Sequence, residues 1–342
     1  MSSEGYNDYP RLYDAEFGAV IRKIGAIIQE KTSFLVCGHV RPDGDCIGSQ
    51  LALYFFLKEL GKTVRLYNAG PVLDYFHFVP GIREITNSFD KDFKSDVCFF
   101  LDCGAPDRAI ENIKPCGLLI NIDHHKSNEE FGDINYIDPI ASSVGEQLFH
   151  IITAMKKPIT KDMATCMYLS LLSDTGGFRY SNTRSLTFLV AAELVKAGAE
   201  PSAIAESLFE NKSPASIWVK GRVLENLEYQ CQGRLVWGEI TQEMYRSVGE
   251  ENEPEGLVGE MRSIAGVEMS ILCHEIREGG MRAGLRSRGD LDVSRLAAEM
   301  GGGGHPNASG CYIRGDYITL KNKLISLALR MMEEREKNIS PS

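Results

Sequence analysis

SFLVCGHVRPDGDCIGSQLALYFFLKELGKTVRLYN, residues 33–68, decides the reading of the fold. SFLVCGH is a short apolar run rich in β-formers and reads as a buried strand. CIGSQLALYFFLKELG reads as a helix that runs into Gly61, a natural carboxyl-terminal stop, and TVRLYN as the next strand. Strand, helix, strand in that order predicts a parallel sheet covered by helices, with functional groups gathered at the carboxyl ends of the strands. Upstream, Phe17, Val20, Ile21, Ile24, Ile27 and Ile28 recur at helical spacing. Downstream, DVCFFLD (96–102) and GLLINID (117–123) read as two further strands separated by a helical PDRAIENI segment. From about residue 142 to 229 the pattern is almost wholly helical, and Gly198, Pro201 and Pro214 mark a connector. Beyond it, RLVWGEIT reads as a strand, and VEMSILCHEI and MRAGLRSR as an antiparallel pair across Glu278, Gly279 and Gly280. DVSRLAAEM reads as a helix before the Gly301–Gly304 run, and the chain ends in a helix.

A chain of 342 residues exceeds the usual single core, so two domains are expected. Hydrophobic residues at 43% and charged residues at 25% describe an ordinary globular α/β chain and exclude a disordered or fibrous one. No stretch is long and apolar enough for a membrane span. The polar, acidic start MSSEGYNDYPRLYDAEFG lacks the basic residues and apolar run of an export signal, which predicts a cytoplasmic protein. Nine cysteines, scattered and without a CxxC pair, argue against a disulfide framework and against structural zinc. A net charge of −10 argues against a groove that tracks long nucleic acid. It leaves room for a small anionic substrate held by a few arginines or a bound cation.

Three predicted strands end in acid or imidazole: His39 after FLVCG, Asp102 after VCFFL, and Asp123, His124 and His125 after LLINI. Carboxylates gathered on one edge of a sheet repel each other unless a cation or a proton intervenes. HVRPDGDCIGS adds Asp43 and Asp45 in a loop held out of helix by Pro42. Taken alone, that segment is equally well read as Asp45 capping the helix and Asp43 in a solvated turn. Asp174 closes the apolar helix ATCMYLSLLSD, where an acid opposes the helix dipole and calls for a positive partner. A mixed His/Asp set without thiolate suits a pair of divalent ions, Mn²⁺ ahead of Mg²⁺ because imidazole is present. Asp102 is the candidate for a carboxylate shared by both. Cys46 and Cys103 lie beside ligand positions, where a buried cysteine usually serves as a small hydrophobe.

In the second domain, GGGGHPNASG places His305 after glycines whose backbone, Gly303 and Gly304 included, can approach an anion; the alternative is a flexible turn. Arg282, Arg286 and Arg288 alternate, which predicts one strand face suited to phosphate recognition or simply solvated.

The succession HVRPDGDCIGS, FFLDCG, NIDHHKSN, LLSDTGGFRYSNT and GLRSRGDLDVSRLAAEMGGGGHPNASG resembles the DHH/DHHA1 phosphoesterase family, in its nanoRNase and pAp-phosphatase branch. The resemblance implies a DHH domain over 1–198 with a parallel sheet, a helical linker over 199–232, and a smaller α/β DHHA1 domain over 233–338 with a mixed sheet. It implies that His39 and Asp43 bind one metal, that Asp45, His124 and Asp174 bind the other, and that Asp102 touches both. Asp123 would orient a ligand, His125 would contact phosphate, and Arg286 and His305 match substrate-binding positions. Arg179, between Phe178 and Tyr180, is within reach of substrate by the same reading, although packing explains those aromatics as well. Ser309 stands where the family pattern often has alanine, and an extra amino-terminal segment precedes the first helix.

The implied activity is two-metal hydrolysis of short RNA oligonucleotides to mononucleotides and of the 3′-phosphate of adenosine 3′,5′-bisphosphate (pAp). Hydrolysis of cyclic or linear dinucleotides (c-di-AMP, pApA) is the alternative. Exopolyphosphatase or pyrophosphatase activity, a RecJ-like DNA exonuclease and a non-catalytic nucleotide sensor fit less of the pattern. Partners are then short RNA, pAp or dinucleotides, with neither long duplex nor membrane, and a homodimer is allowed.

Overall fold

The computed structural model describes residues 17–40, 42–72, 76–88, 93–106, 117–249, 254 and 256–339. The expected helix over PDRAIENI falls outside them except for Pro106, as does the amino-terminal segment through residue 16. The chain divides into two compact units between Asn211 and Lys212.

The first unit runs α1 (Gly18–Glu30), β1 (Ser33–Cys37), α2 (Gly44–Glu59), β2 (Thr63–Tyr67), β3 (Ile85–Thr86), β4 (Val97–Leu101), β5 (Leu118–Asp123) and β6 (Ile134–Ile137). Helices α3 (Val144–Ala154), α4 (Lys161–Asp174), α5 (Ser185–Lys196) and α6 (Pro201–Phe209) follow. The strands form one six-stranded sheet in the order β3-β2-β1-β4-β5-β6, and every pairing is parallel. The strands expected from the sequence all form. The edge strands β3 and β6 had no counterpart in the reading, because two and four residues are too few to register a period.

The order reverses between β1 and β4, and an open α/β sheet of this kind leaves a crevice at that point, beyond the strand ends. His39 follows β1 and Asp102 follows β4, so the reversal itself sets them side by side. Strand β4 is buried at all five positions, as a central strand should be.

Helix α2 begins at Gly44, two residues earlier than the sequence pattern predicts. Asp43, not Asp45, is its cap: Asp43 Oδ1 accepts from the amides of Asp45 and Cys46 at 3.0 and 3.1 Å. Asp45 therefore lies in the first turn and is 1% exposed. Glycine at 48 brings α2 onto α4, since a Cβ there would stand 2.4 Å from the Cys166 carbonyl oxygen. That approach carries the end of α4, and Asp174 with it, to the first strand's loop.

The second unit contains α7 (Pro214–Glu225), β7 (Glu228–Gln230), β8 (Leu235–Ile240), α8 (Gln242–Val248), α9 (Leu257–Ser263), β9 (Met269–Glu275) and β10 (Met281–Ser287). It closes with α10 (Val293–Glu299), β11 (Gly303–His305), β12 (Ala308–Ile313) and α11 (Tyr317–Ile339). Its sheet is mixed, ordered β11-β12-β10-β9-β8-β7, with β8 and β9 parallel and β9 and β10 antiparallel. Apolar clusters cover both faces, one around Leu235, Ile271, Leu296 and Leu324, the other around Val219, Val236 and Met261. Among the described residues no helix is long and apolar enough to cross a membrane.

Candidate active site

Asp102 is the centre of the constellation in the first unit. It is 4% exposed and takes φ 57°, a left-handed conformation that Asp tolerates better than most residues. This turn out of β4 aims its two oxygens at different neighbours. Oδ2 lies 3.4 Å from His39 Nε2, while Oδ1 lies 3.8 Å from His124 Nε2 and 3.5 Å from His125 Nδ1. His39 Nε2 is also 3.9 Å from Asp43 Oδ1. On the other side, His124 Nε2 stands 3.6 Å from Asp45 Oδ2 and 3.7 Å from Asp174 Oδ2. The six expected ligands thus meet in one place. They do so as two sets that share Asp102.

The supporting bonds fix which atom each ligand offers. His124 Nδ1 donates to the Ala141 carbonyl at 3.2 Å, which turns Nε2 toward the carboxylates. Asp45 accepts from Ser170 Oγ at 2.6 Å and from the Val144 amide at 2.9 Å. Asp174 Oδ2 accepts from Asn182 Nδ2 at 2.9 Å. Asp123, fully buried, receives His125 Nδ1 at 2.7 Å on Oδ1 and Asn128 Nδ2 at 2.5 Å on Oδ2. Although burial opposes its ionisation, the hydrogen bond and charge of His125 hold the Asp123 carboxyl at about 2.

The donor set fits divalent cations. Metal–ligand bonds of about 2.0–2.3 Å place the donors of one ion roughly 3–4 Å apart. His39, Asp43 and Asp102 each offer a donor within 4.8 Å of the others, and so do Asp45, Asp102 and His124. Asp102 Oδ1 is buried without a hydrogen-bond partner, a costly state that a cation relieves. Without such a charge, burial and the nearby Asp174 and Asp43 push the Asp45 carboxyl up to about 7 against the opposing pull of His124. Burial likewise raises Asp102 well above the carboxylate range, with Asp45 and Asp43 adding to it. His124 is raised to about 10: burial disfavours its charge, but Asp174, Asp45 and Asp102 outweigh that. Cys46 and Cys103 are both buried, and Cys46 Sγ donates to Gln50 Oε1 at 3.8 Å.

Arg179 follows Asp174 in the same unit, and its Nε donates to the Gly176 carbonyl. Besides His125 and Arg179, the expected substrate residues belong to the second unit. There Arg286 on β10 opposes Ala308 of β12, and Ala308 opposes His305 of β11. Arginine, alanine and imidazole therefore form one row across three strands, on one face of the sheet. Gly303 and Gly304 belong to β11, whereas Gly301 lies in the turn before it; Gly304 has φ 138°, and a Cβ on it would stand 2.6 Å from the Ala308 carbonyl oxygen. The expected arginine face needs one correction. Arg282 and Arg286 share β10, but Arg288 lies past its end and donates to the Arg262 carbonyl instead.

Ser170, Asn128 and Asn182 were missed as functional residues. Ser170 sits four residues before Asp174 on α4, the helical spacing that could have revealed it; the two asparagines carried no such signal.

A sheet whose reversal point gathers carboxylates and imidazoles in two overlapping sets, joined in the chain to a mixed-sheet unit with an Arg/His row, defines a class of two-domain α/β proteins built to hold divalent metal. The chain belongs to the DHH family: residues 33–171 match its amino-terminal domain, and residues 244–334 match the DHHA1 domain. It is 31% identical over 280 residues to the bifunctional oligoribonuclease and PAP phosphatase NrnA of Thermus thermophilus, covering 82% of this chain and 84% of that one. It is 28% identical to the protein of the same name from Mycoplasma genitalium, over 86% and 93% of the two chains. Among solved structures, an exopolyphosphatase-related protein from Bacteroides fragilis superposes with a TM-score of 0.84 at 29% identity, covering 93% of this chain and 96% of that one.

Proposed function

We propose that this protein hydrolyses short RNA oligonucleotides to mononucleotides and removes the 3′-phosphate of pAp, using two divalent cations, Mn²⁺ ahead of Mg²⁺. The observation that carries the reading is Asp102, whose oxygens divide between two ligand sets. The full-length likeness to NrnA proteins supports the substrate class. His39 and Asp43 would hold one cation, Asp45, His124 and Asp174 the other, and Asp102 both. Bound cations supply Lewis acidity and a water of lowered pKa.

The protein's own groups do the rest. Asp123 fixes the His125 tautomer through Nδ1, so that Nε2 meets a phosphate oxygen and the leaving oxygen's developing charge. Arg286 and His305, with the backbone of Gly303 and Gly304, bind a phosphate or sugar through a forked guanidinium and an imidazole; Arg179 adds a contact. A net charge of −10 suits substrates of few phosphates. Free buried cysteines suit a reducing compartment, and we place the protein in the cytoplasm.

The test is a panel of pAp, pApA, RNA of two to five nucleotides, short DNA and pyrophosphate, each with Mn²⁺ and with Mg²⁺. Mononucleotides from short RNA and phosphate from pAp are expected, faster with Mn²⁺ and abolished by chelator. Inactivity on both contradicts the proposal, and fastest cleavage of pApA moves the assignment to linear dinucleotides.

A further inference from the structure

The consecutive residues 141–144 reach, directly or through one side chain, the three side chains assigned above to the second cation alone. The Ala141 carbonyl accepts His124 Nδ1 at 3.2 Å. Val144 donates its amide to Asp45 Oδ2 at 2.9 Å. Ser143 Oγ lies 3.0 Å from Ser170 Oγ, and Ser170 donates to Asp45 Oδ1 at 2.6 Å. The Ser142 carbonyl accepts from Asn182 Nδ2 at 3.0 Å, and the same amide group donates to Asp174 Oδ2 at 2.9 Å and to the Asp174 carbonyl at 3.1 Å.

This segment is itself pinned. Glu146 is fully buried, and its Oε2 accepts from Ser142 Oγ at 2.5 Å and Thr187 Oγ1 at 3.1 Å. Its Oε1 accepts from the Arg184 guanidinium at 3.2 Å. A buried carboxylate matched by one cation and two hydroxyls has few other arrangements open to it, so the bracket is stiff.

Asp174 is the ligand that most needs such a reference. It ends α4, where the dipole disfavours a negative charge and no basic residue occupies the last turn. The chain leaves it through Gly176, Gly177 and Phe178 at φ 57°, 72° and 62°, three successive left-handed residues that break the helix at once. His39 and Asp43, in contrast, hang from β1 and the amino end of α2.

We propose that Asn182 is the positioning residue for Asp174, referring it to the same four-residue segment that fixes His124 and Asp45. Asp45, His124 and Asp174, the second cation's ligands besides the shared Asp102, are then preset as one group, on which Asn182 acts through Asp174. This rests on the two-cation reading above.

Calorimetric titration of the metal-free full chain with Mn²⁺, together with thermal unfolding without metal, tests it. Asn182→Ala should weaken one of two affinities by roughly 10–100-fold and leave the other within about twofold. The metal-free unfolding midpoint should stay where it is in the wild type. Asp174→Asn should weaken the same affinity, and the double variant should bind no more weakly than Asp174→Asn alone, because both changes act through one carboxylate. Unchanged binding by Asn182→Ala, additive losses in the double variant, or equal weakening of both sites with a lowered metal-free midpoint would each overturn the inference. A wild-type chain that takes up no Mn²⁺ removes the two-cation reading, and this inference with it; two ions in the wild type with any of the preceding outcomes removes the inference alone.

Discussion

Asp102 combines a left-handed backbone with a buried carboxylate facing other acids, and both conditions work against the folded state. Asn keeps the shape, tolerates the backbone and removes the charge. Asp102→Asn should therefore raise the unfolding midpoint of the metal-free chain while lowering kcat by more than about 100-fold, beyond the usual cost of altering a group that only supports a ligand. A metal-free midpoint that falls would show that Asp102 is not repelled where it stands. The candidate ligands His39, Asp102 and His124 were legible because each follows a strand, and Asp174 because it closes a helix, where an acid or imidazole has an unusual neighbourhood; Asp43 and Asp45, ambiguous on their own in HVRPDGDCIGS, drew their weight from those four. Their supports were less legible. The Ala141 carbonyl carries no side-chain signature at all, and Asn182 looks like any polar loop residue until the fold sets it 2.9 Å from Asp174.

At the scale of elements, the site depends on α2 lying against α4. Gly48 permits that contact, as a Cβ would press on the backbone of Cys166. Backbone cannot yield as a flexible side chain can, so Gly48→Ala should force the helices apart and destabilise the fold by about 1–3 kcal/mol in urea unfolding. Mn²⁺ affinity should fall with it, since Asp45 and Ser170 sit on opposite sides of that contact. Unaltered stability would mean that the helices have slack. The glycine was visible in the sequence, but its reason was not, because α4 lies more than a hundred residues away. Main strands and helices declared themselves by apolar runs and periods. The short edge strands and the early start of α2 did not, because hydrogen bonding to neighbours defines the former and the Asp43 side chain defines the latter.

Considered as a whole molecule, the chain holds buried charge and neutral histidine that link stability to conditions. His150 is 7% exposed, and burial, with the charge of Arg184 adding to it, lowers its pKa from 6.5 to about 3. The unfolded chain therefore takes up a proton here that the folded chain refuses. Stability is complete above about pH 6.5 and is lost progressively as pH falls toward 3, at about 1.4 kcal/mol per unit. His150→Gln should lose less stability than wild type between pH 7 and pH 5, by up to about 2 kcal/mol in urea unfolding. Equal losses in both proteins would show that His150 does not carry this sensitivity. The parallel sheet of the first unit and the antiparallel pair of the second were both evident from strand order in the chain. What the pattern could not show was the segment 141–144, whose direct contacts with His124 and Asp45 run through backbone groups.

Mn²⁺ located by anomalous scattering in crystals of the full chain tests the central claim most directly. Two peaks are predicted, one among His39, Asp43 and Asp102, the other among Asp45, His124, Asp174 and Asp102. A Mn²⁺-soaked crystal with no ion at Asp102, or with a single ion that touches only one of those sets, would contradict it.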